Sequence, residues 1–166
     1  MSQLARGTIE LLTATPAVLA ALLAGLPPAA VERQDAGGWS PRDLVAHLAD
    51  RGRIQRARVE RLIAAPGATI EDSDEHATLA ASGLRSRPLA ELLATLARER
   101  AADVQRYAAL SPERLEHTGV HSVAGAITAA QLINQAAYHD LQHVRQIAAT
   151  LAALPDAGRG PFAMFG

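Results

Sequence analysis

The chain contains no cysteine and no lysine, and aromatic residues make up only 3% of it. Without cysteine there is no disulfide, no thiolate metal ligand and no cysteine nucleophile, so any thiol chemistry needs a thiol brought in as cosubstrate. With so few aromatics, Ala and Leu must fill the interior, which suits closely packed helices. All 16 basic residues are Arg, which together with the abundance of Ala reads as genomic base composition. The formal charge of −1 leaves no basic surface of the kind that nucleic-acid binding requires. A long uninterrupted apolar run is missing too. Residues 11–31 carry no charge and include "PAA", faintly like a signal cleavage site. However, Pro16 interrupts the stretch, Gly25, Pro27 and Pro28 end it, and Glu10 directly precedes it. A membrane span needs about 20 consecutive apolar residues. The segment therefore reads as the buried first helix of a cytoplasmic protein with no membrane partner.

What is present is enough for one packed domain. A chain of 166 residues, 49% of them apolar, suits a single domain over residues 1–166 with a sizeable core. A first helix is expected over residues 3–26, stopped by "GLPP". A second opens at "WSPRD", where Ser40 is a good N-cap, Pro41 suits the first helical position and Asp43 favours the positive helix end. It runs to about residue 65, where "PG" stops it. Residues 68–83 are acidic and read as an irregular surface connection. A third helix is expected over residues 89–109. A fourth begins at "TAAQ", where Thr128 and Gln131 make a capping box, and ends before Pro155. No segment alternates as a strand. Four long helices with one long connection predict an all-α four-helix bundle with a long crossover.

The fourth helix carries polar residues on its apolar side. At about 100° per residue, with His139 as origin, His143 lies about 40° round and Asp140 about 100° round. The apolar sector, which holds Leu132, Ala136, Ile133, Val144 and Ile147, spans about 20° to 200°. Both histidines sit on its edge facing inward, and Asp140 sits in its middle. Two histidines four residues apart lie one turn apart, close enough to share a metal ion. A third ligand should come from another helix, and His47 in "LVAHLAD" flanks the apolar face of the second. A lone inward histidine is more often a satisfied core residue; a third one on a second helix, with a buried acid nearby, strengthens the metal reading. A carboxylate at the position of Asp140 must be paired, because an unpaired buried charge is prohibitively costly. The N–H of His47 or the guanidinium of Arg51 is its expected partner. His76 reads as exposed. His117 and His121 fall in the loop entering the fourth helix, from which His121 can approach the site. Arg51 and Arg58 lie within about 40° of His47 on the helix wheel. Arg51 joins His121 as a substrate-binding candidate, and Arg58 reads as a snorkelling surface arginine.

These pieces resemble a known family. "GGWSPRDLVAHLAD" resembles the second-helix signature of the DinB-like (YfiT-like) metalloprotein superfamily. "HTGVHSVAGAITAAQLINQAAYHDLQHVRQI" looks like its fourth-helix signature, and "GPFAMF" is similar to the terminal segment of some members. The resemblance implies a four-helix bundle in which three histidines, here His47, His139 and His143, bind a divalent ion, commonly zinc or nickel, often in a homodimer. Asp140 and Asp50 are the carboxylates expected to support the ligands. The family includes transferases and isomerases that use low-molecular-weight thiols such as mycothiol or bacillithiol. Relatives often carry an acidic residue shortly after "HLAD", where this chain has "RGR". Gly52 there costs the helix about 1 kcal/mol relative to Ala.

Three neutral imidazoles leave one coordination position open, as catalytic rather than structural zinc sites do. An ion so held lowers the pKa of bound water or favours a bound thiol as thiolate. The leading expectation is therefore a transferase acting on a small-molecule substrate with a low-molecular-weight thiol cosubstrate. A metal-dependent hydrolase of an amide or ester needs the same site, and a non-catalytic metal- or ligand-binding bundle is the remaining alternative.

Overall fold

The computed structural model describes residues 3–165. Helix boundaries follow local chemistry. Helix α1, Thr8–Leu23, starts after Gly7, whose φ of 90° ends any helix running in from the N-terminal side. The preceding residues, expected to be helical, are instead held by Asn134. Its Oδ1 accepts from the Ala5 backbone N–H at 2.9 Å and from Thr8 Oγ1 at 2.8 Å. A single turn, α2 (Pro28–Val31), leads to α3, Pro41–Ala64. At the start of α3, Ser40 Oγ accepts from the Asp43 N–H at 3.1 Å and Asp43 Oδ2 accepts from the Ser40 N–H at 3.3 Å, closing a capping box. Arg85 bonds the same Asp43 carboxylate at 3.0 Å. Helices α5, Leu89–Ala108, and α7, Ala129–Asp156, complete the bundle. The α7 cap is the predicted pair, with Thr128 N–H donating to Gln131 Oε1 at 2.8 Å.

Helix α1 packs against α5 and α7, and α3 packs against the same two. Two pairs of successive long helices therefore sit on the diagonals, with α1 facing α3 and α5 facing α7 across the core, while α3 and α5 lie side by side. Leu12, Leu44, Leu48, Leu92, Ile133 and Ile147 are fully buried between them. This arrangement places α3 directly beside α7, which decides the site.

Two expectations about the connections need correction. The segment between α3 and α5 is ordered: it holds strand β1, Thr69–Ile70, and helix α4, Glu75–Ser82. Asp74 caps α4 by accepting from the Ala77 N–H at 2.8 Å, and Gly83, at φ 68°, ends it. After a turn of helix at α6, Pro112–Leu115, come two strands, β2 (Thr118–His121) and β3 (Gly125–Thr128). Strand β2 pairs with β1 in parallel and with β3 antiparallel. Strands of two and four residues are too short to show alternation, and the β1–β2 pairing joins distant segments. Close approach accounts for Gly119: a Cβ there would lie 2.3 Å from Leu62 Cδ2 and 2.5 Å from the Ala68 carbonyl oxygen. Among the described residues, no helix is long and apolar enough to cross a membrane.

Candidate metal centre

His47 on α3 is completely buried, and His139 and His143 project toward it from α7. Their Nε2 atoms converge, at 3.2 Å between His47 and His139 and 3.1 Å between His139 and His143. Ligand nitrogens about 2.0–2.1 Å from a tetrahedral zinc lie about 3.3 Å from one another. The three imidazoles thus stand at the spacing that a shared divalent ion requires, and within 4.8 Å of one another as a group. Their protonation suits the task. Burial, then the adjacent His143 and His139, pushes His47 down to about 3. Burial and His139 likewise hold His143 below its ordinary value. Neutral rings keep a lone pair available to a metal.

One ring is oriented by a relay that the sequence did not suggest. Asp35, in the loop before α3, accepts from Gln146 Nε2 at 2.6 Å. A carboxylate can only accept, so the Gln146 amide must turn its oxygen the other way, toward His143 Nδ1 at 2.8 Å. That oxygen fixes the proton on Nδ1 and leaves Nε2 of His143 free to ligate. Asp35 is anchored in turn by backbone N–H groups of Gly37 at 2.8 Å and Trp39 at 3.0 Å.

The expected supporting carboxylates behave differently. Asp140 is buried, 1% exposed, and paired. Its partner is neither His47 nor Arg51 but Arg100 of α5, whose Nη2 donates to Oδ1 at 2.7 Å. A helix wheel gives the depth at which a side chain points, not the element it meets, and Asp140 points past α3 into the centre of the bundle. Arg100 also lies 3.5 Å from Asp103, which Arg56 bonds. Gly52 is explained by the same contact, since a Cβ there would lie 3.3 Å from Arg100 Nη1. Asp50 is buried but accepts from Arg53 at 3.1 Å. It makes no bond to His47, whose Nδ1 has no partner among the described residues.

The model of the DinB superfamily matches residues 11–147, a stretch that contains all three histidines. The chain belongs to the DinB superfamily. Its fold is similar to that of YfiT from Bacillus subtilis, with a TM-score of 0.82 over 93% of this chain and 91% of YfiT, at 18% sequence identity. YfiT is described as a probable metal-dependent hydrolase with an unusual four-helix bundle topology. A search of curated proteins by sequence finds no match.

In this DinB bundle the segment between α3 and α5 adds a carboxylate that sequence reasoning missed. Glu75, the first residue of α4, places Oε2 3.7 Å from His47 Nε2 and Oε1 3.7 Å from His139 Nε2. The adjacent His139 outweighs burial, and with His47 and Arg51 it holds the Glu75 carboxyl at about 2. No periodicity could reveal it, because α4 is too short and its surroundings are uniformly acidic. Two cavities meet the cluster. One of about 460 Å³ is lined by Glu75, His139, His143 and Gln146. The other, about 530 Å³, is lined by His139 together with Arg51, Arg58 and His121. Arg51 donates to Ser73 Oγ at 2.7 Å. His121 is not a solvated loop residue: it ends β2 and its side chain is 13% exposed. Its Nδ1 accepts from the Val123 and Ala124 N–H groups at 3.2 and 3.3 Å. His76 is exposed, as expected, with its ring 4.6 Å from that of Trp39.

Proposed function

We propose that this DinB-superfamily chain is a divalent-metal-dependent enzyme, using zinc or nickel, that hydrolyses an amide or ester bond in a small molecule. The observation that carries this reading is the set of three converging Nε2 atoms with one carboxylate, Glu75, beside them. When bound, a divalent ion supplies Lewis-acid chemistry there, lowering the pKa of a water or thiol held in its remaining position. The chain's own residues do the rest. His47, His139 and His143 present neutral lone pairs, and the Asp35–Gln146 relay keeps His143 in the ligating tautomer. Glu75, with carboxylate oxygens 3.7 Å from His47 Nε2 and from His139 Nε2, is placed to accept a hydrogen bond from the nucleophile and orient it. The description of YfiT supports the same reading.

A second reading, transfer of a low-molecular-weight thiol, is favoured by one feature. His139 borders both cavities, so two small molecules have room on either side of the cluster. The test is elemental analysis of purified protein, followed by ester, amide and thiol-transfer assays with and without chelator. One equivalent of metal and chelator-sensitive turnover are expected, with metal lost in each of His47→Ala, His139→Ala and His143→Ala. A protein that takes up no metal on reconstitution is a non-catalytic bundle, and the reading fails.

A further inference from the structure

The larger cavity carries a charge that its own walls do not neutralise. Its charged lining is Arg51, Arg58 and Arg100 against Asp72 and Asp140, with His121 alongside. Arg100 and Asp140 satisfy one another at 2.7 Å. Arg51 and Arg58 then face Asp72, which is half in solvent with its nearer oxygen 3.8 Å from Arg58, and Glu75, whose Oε1 lies 3.9 Å from Arg51 Nε. Both carboxylates stand beyond hydrogen-bond distance of the guanidinium they approach. Both guanidiniums, with side chains only 15% and 11% exposed, converge on one neutral hydroxyl. Ser73 Oγ accepts from Arg51 Nη1 at 2.7 Å and from Arg58 Nη2 at 3.2 Å. Arg58 also donates to the Glu71 carbonyl at 2.7 Å. Two adjacent, mostly buried guanidiniums with a shared neutral acceptor form an incomplete arrangement, and an oxyanion with two acceptor edges completes it. Burial, then the neighbouring Arg51 cation, lowers the Arg58 pKa, which agrees with the crowding. His121 adds a donor. With Nδ1 occupied as an acceptor by two backbone N–H groups, its proton sits on Nε2.

We propose that Arg51, Arg58 and His121 form an oxyanion subsite, and that the small-molecule substrate carries a carboxylate or phosphate group bound there. The subsite adjoins the histidine cluster. Arg51 Nε and His139 Nε2 lie 3.9 Å and 3.7 Å from the same atom, Glu75 Oε1, so a compact molecule reaches both. The anion subsite stands on its own geometry; only its role in placing a reacting bond rests on the metal-dependent reading above.

Two-dimensional NMR of the arginine side-chain Nε–H groups in 15N-labelled full-length protein tests it, titrating inorganic phosphate in one arm and acetate in another at constant ionic strength. Saturable shifts confined to Arg51 and Arg58 are expected, with whichever anion binds more tightly identifying the group. The Arg58→Gln protein should bind at least tenfold more weakly while retaining the wild-type metal content. The His139→Ala protein should lose metal yet keep the anion shifts, so the two readings fail separately. Absence of saturable shifts in the wild-type protein for both anions overturns the subsite, as does unchanged affinity in Arg58→Gln.

Discussion

Replacing Arg100 with Met removes the one cation that, among the described residues, bonds Asp140, while keeping most of the side-chain volume. Asp140 is 1% exposed and Arg100 3%, so bulk water is a poor substitute for the lost partner. The carboxylate then has two options, to remain charged in an apolar interior or to take up a proton. Protonation is the cheaper. From a free carboxyl pKa of about 3.9, it costs about 4 kcal/mol at pH 7, at about 1.36 kcal/mol per pH unit. That agrees with the roughly 3–5 kcal/mol that breaking one side of a buried ion pair costs. A domain of this size has about 5–15 kcal/mol to lose, so the variant folds, but its Tm falls by about 8–16 °C. The sign with pH follows. Burial already raises the folded-state pKa of Asp140 while Arg100 lowers it. In Arg100→Met the lowering is lost, the pKa rises further above its unfolded value, and the folded protein binds the extra proton. The deficit is therefore largest at neutral pH and shrinks to about 1 kcal/mol near pH 4.5. Urea unfolding of chelator-treated wild type and variant at the two pH values measures the difference. Arg100→Met combined with Asp140→Leu should recover most of the loss, because no buried charge remains. A deficit below about 1 kcal/mol at pH 7, or one equally large at pH 4.5, would refute the argument.

Gln146→Met should weaken zinc affinity by about 10–100-fold, because His143 loses the acceptor that fixes its tautomer; competition against a chromophoric chelator measures this, and unchanged affinity would show the relay to be idle. Gly119→Ala forces β2 away from the Ala68 carbonyl and should cost about 1–3 kcal/mol in urea unfolding, whereas a neutral effect would mean that the strand shifts freely. The chain should sediment as a homodimer at micromolar concentration, since Phe162, Met164 and Phe165 are 69%, 78% and 72% exposed; a clean monomer contradicts this.

What the sequence made legible was local. The N-cap at Ser40 and the capping box at Thr128 were readable because each is written within four residues. The His139 and His143 pair was readable because one helical turn fixes their relation, and Asp140 was correctly placed deep because period alone reports depth. What it left unreadable was nonlocal. Arg100 looks like any other arginine in a charged helix, and only the packing of α5 turns it toward Asp140. The β1–β2 pairing, the approach of Gly119 to Leu62, and the reach of Gln146 to Asp35 each join segments that share no pattern. Glu75 was hidden differently, as one acid among several in a segment too short to display a face.

That division between local and nonlocal matches a division of labour in the site. The three imidazoles and the Gln146 that orients one of them sit on α3 and α7, long helices locked by the core, where small displacements would disturb ligand spacing. The residues beside the open cavities come largely from elsewhere. Ser73 and Glu75 belong to the segment between α3 and α5, and His121 to the end of β2, while Arg51 and Arg58 reach across from α3 to meet them. Substitutions in those connections alter charge and shape around the cluster without moving the helices that hold it. The bundle therefore fixes where an ion would sit, and on the proposed reading the short sheet and α4 would set which molecule is brought to it.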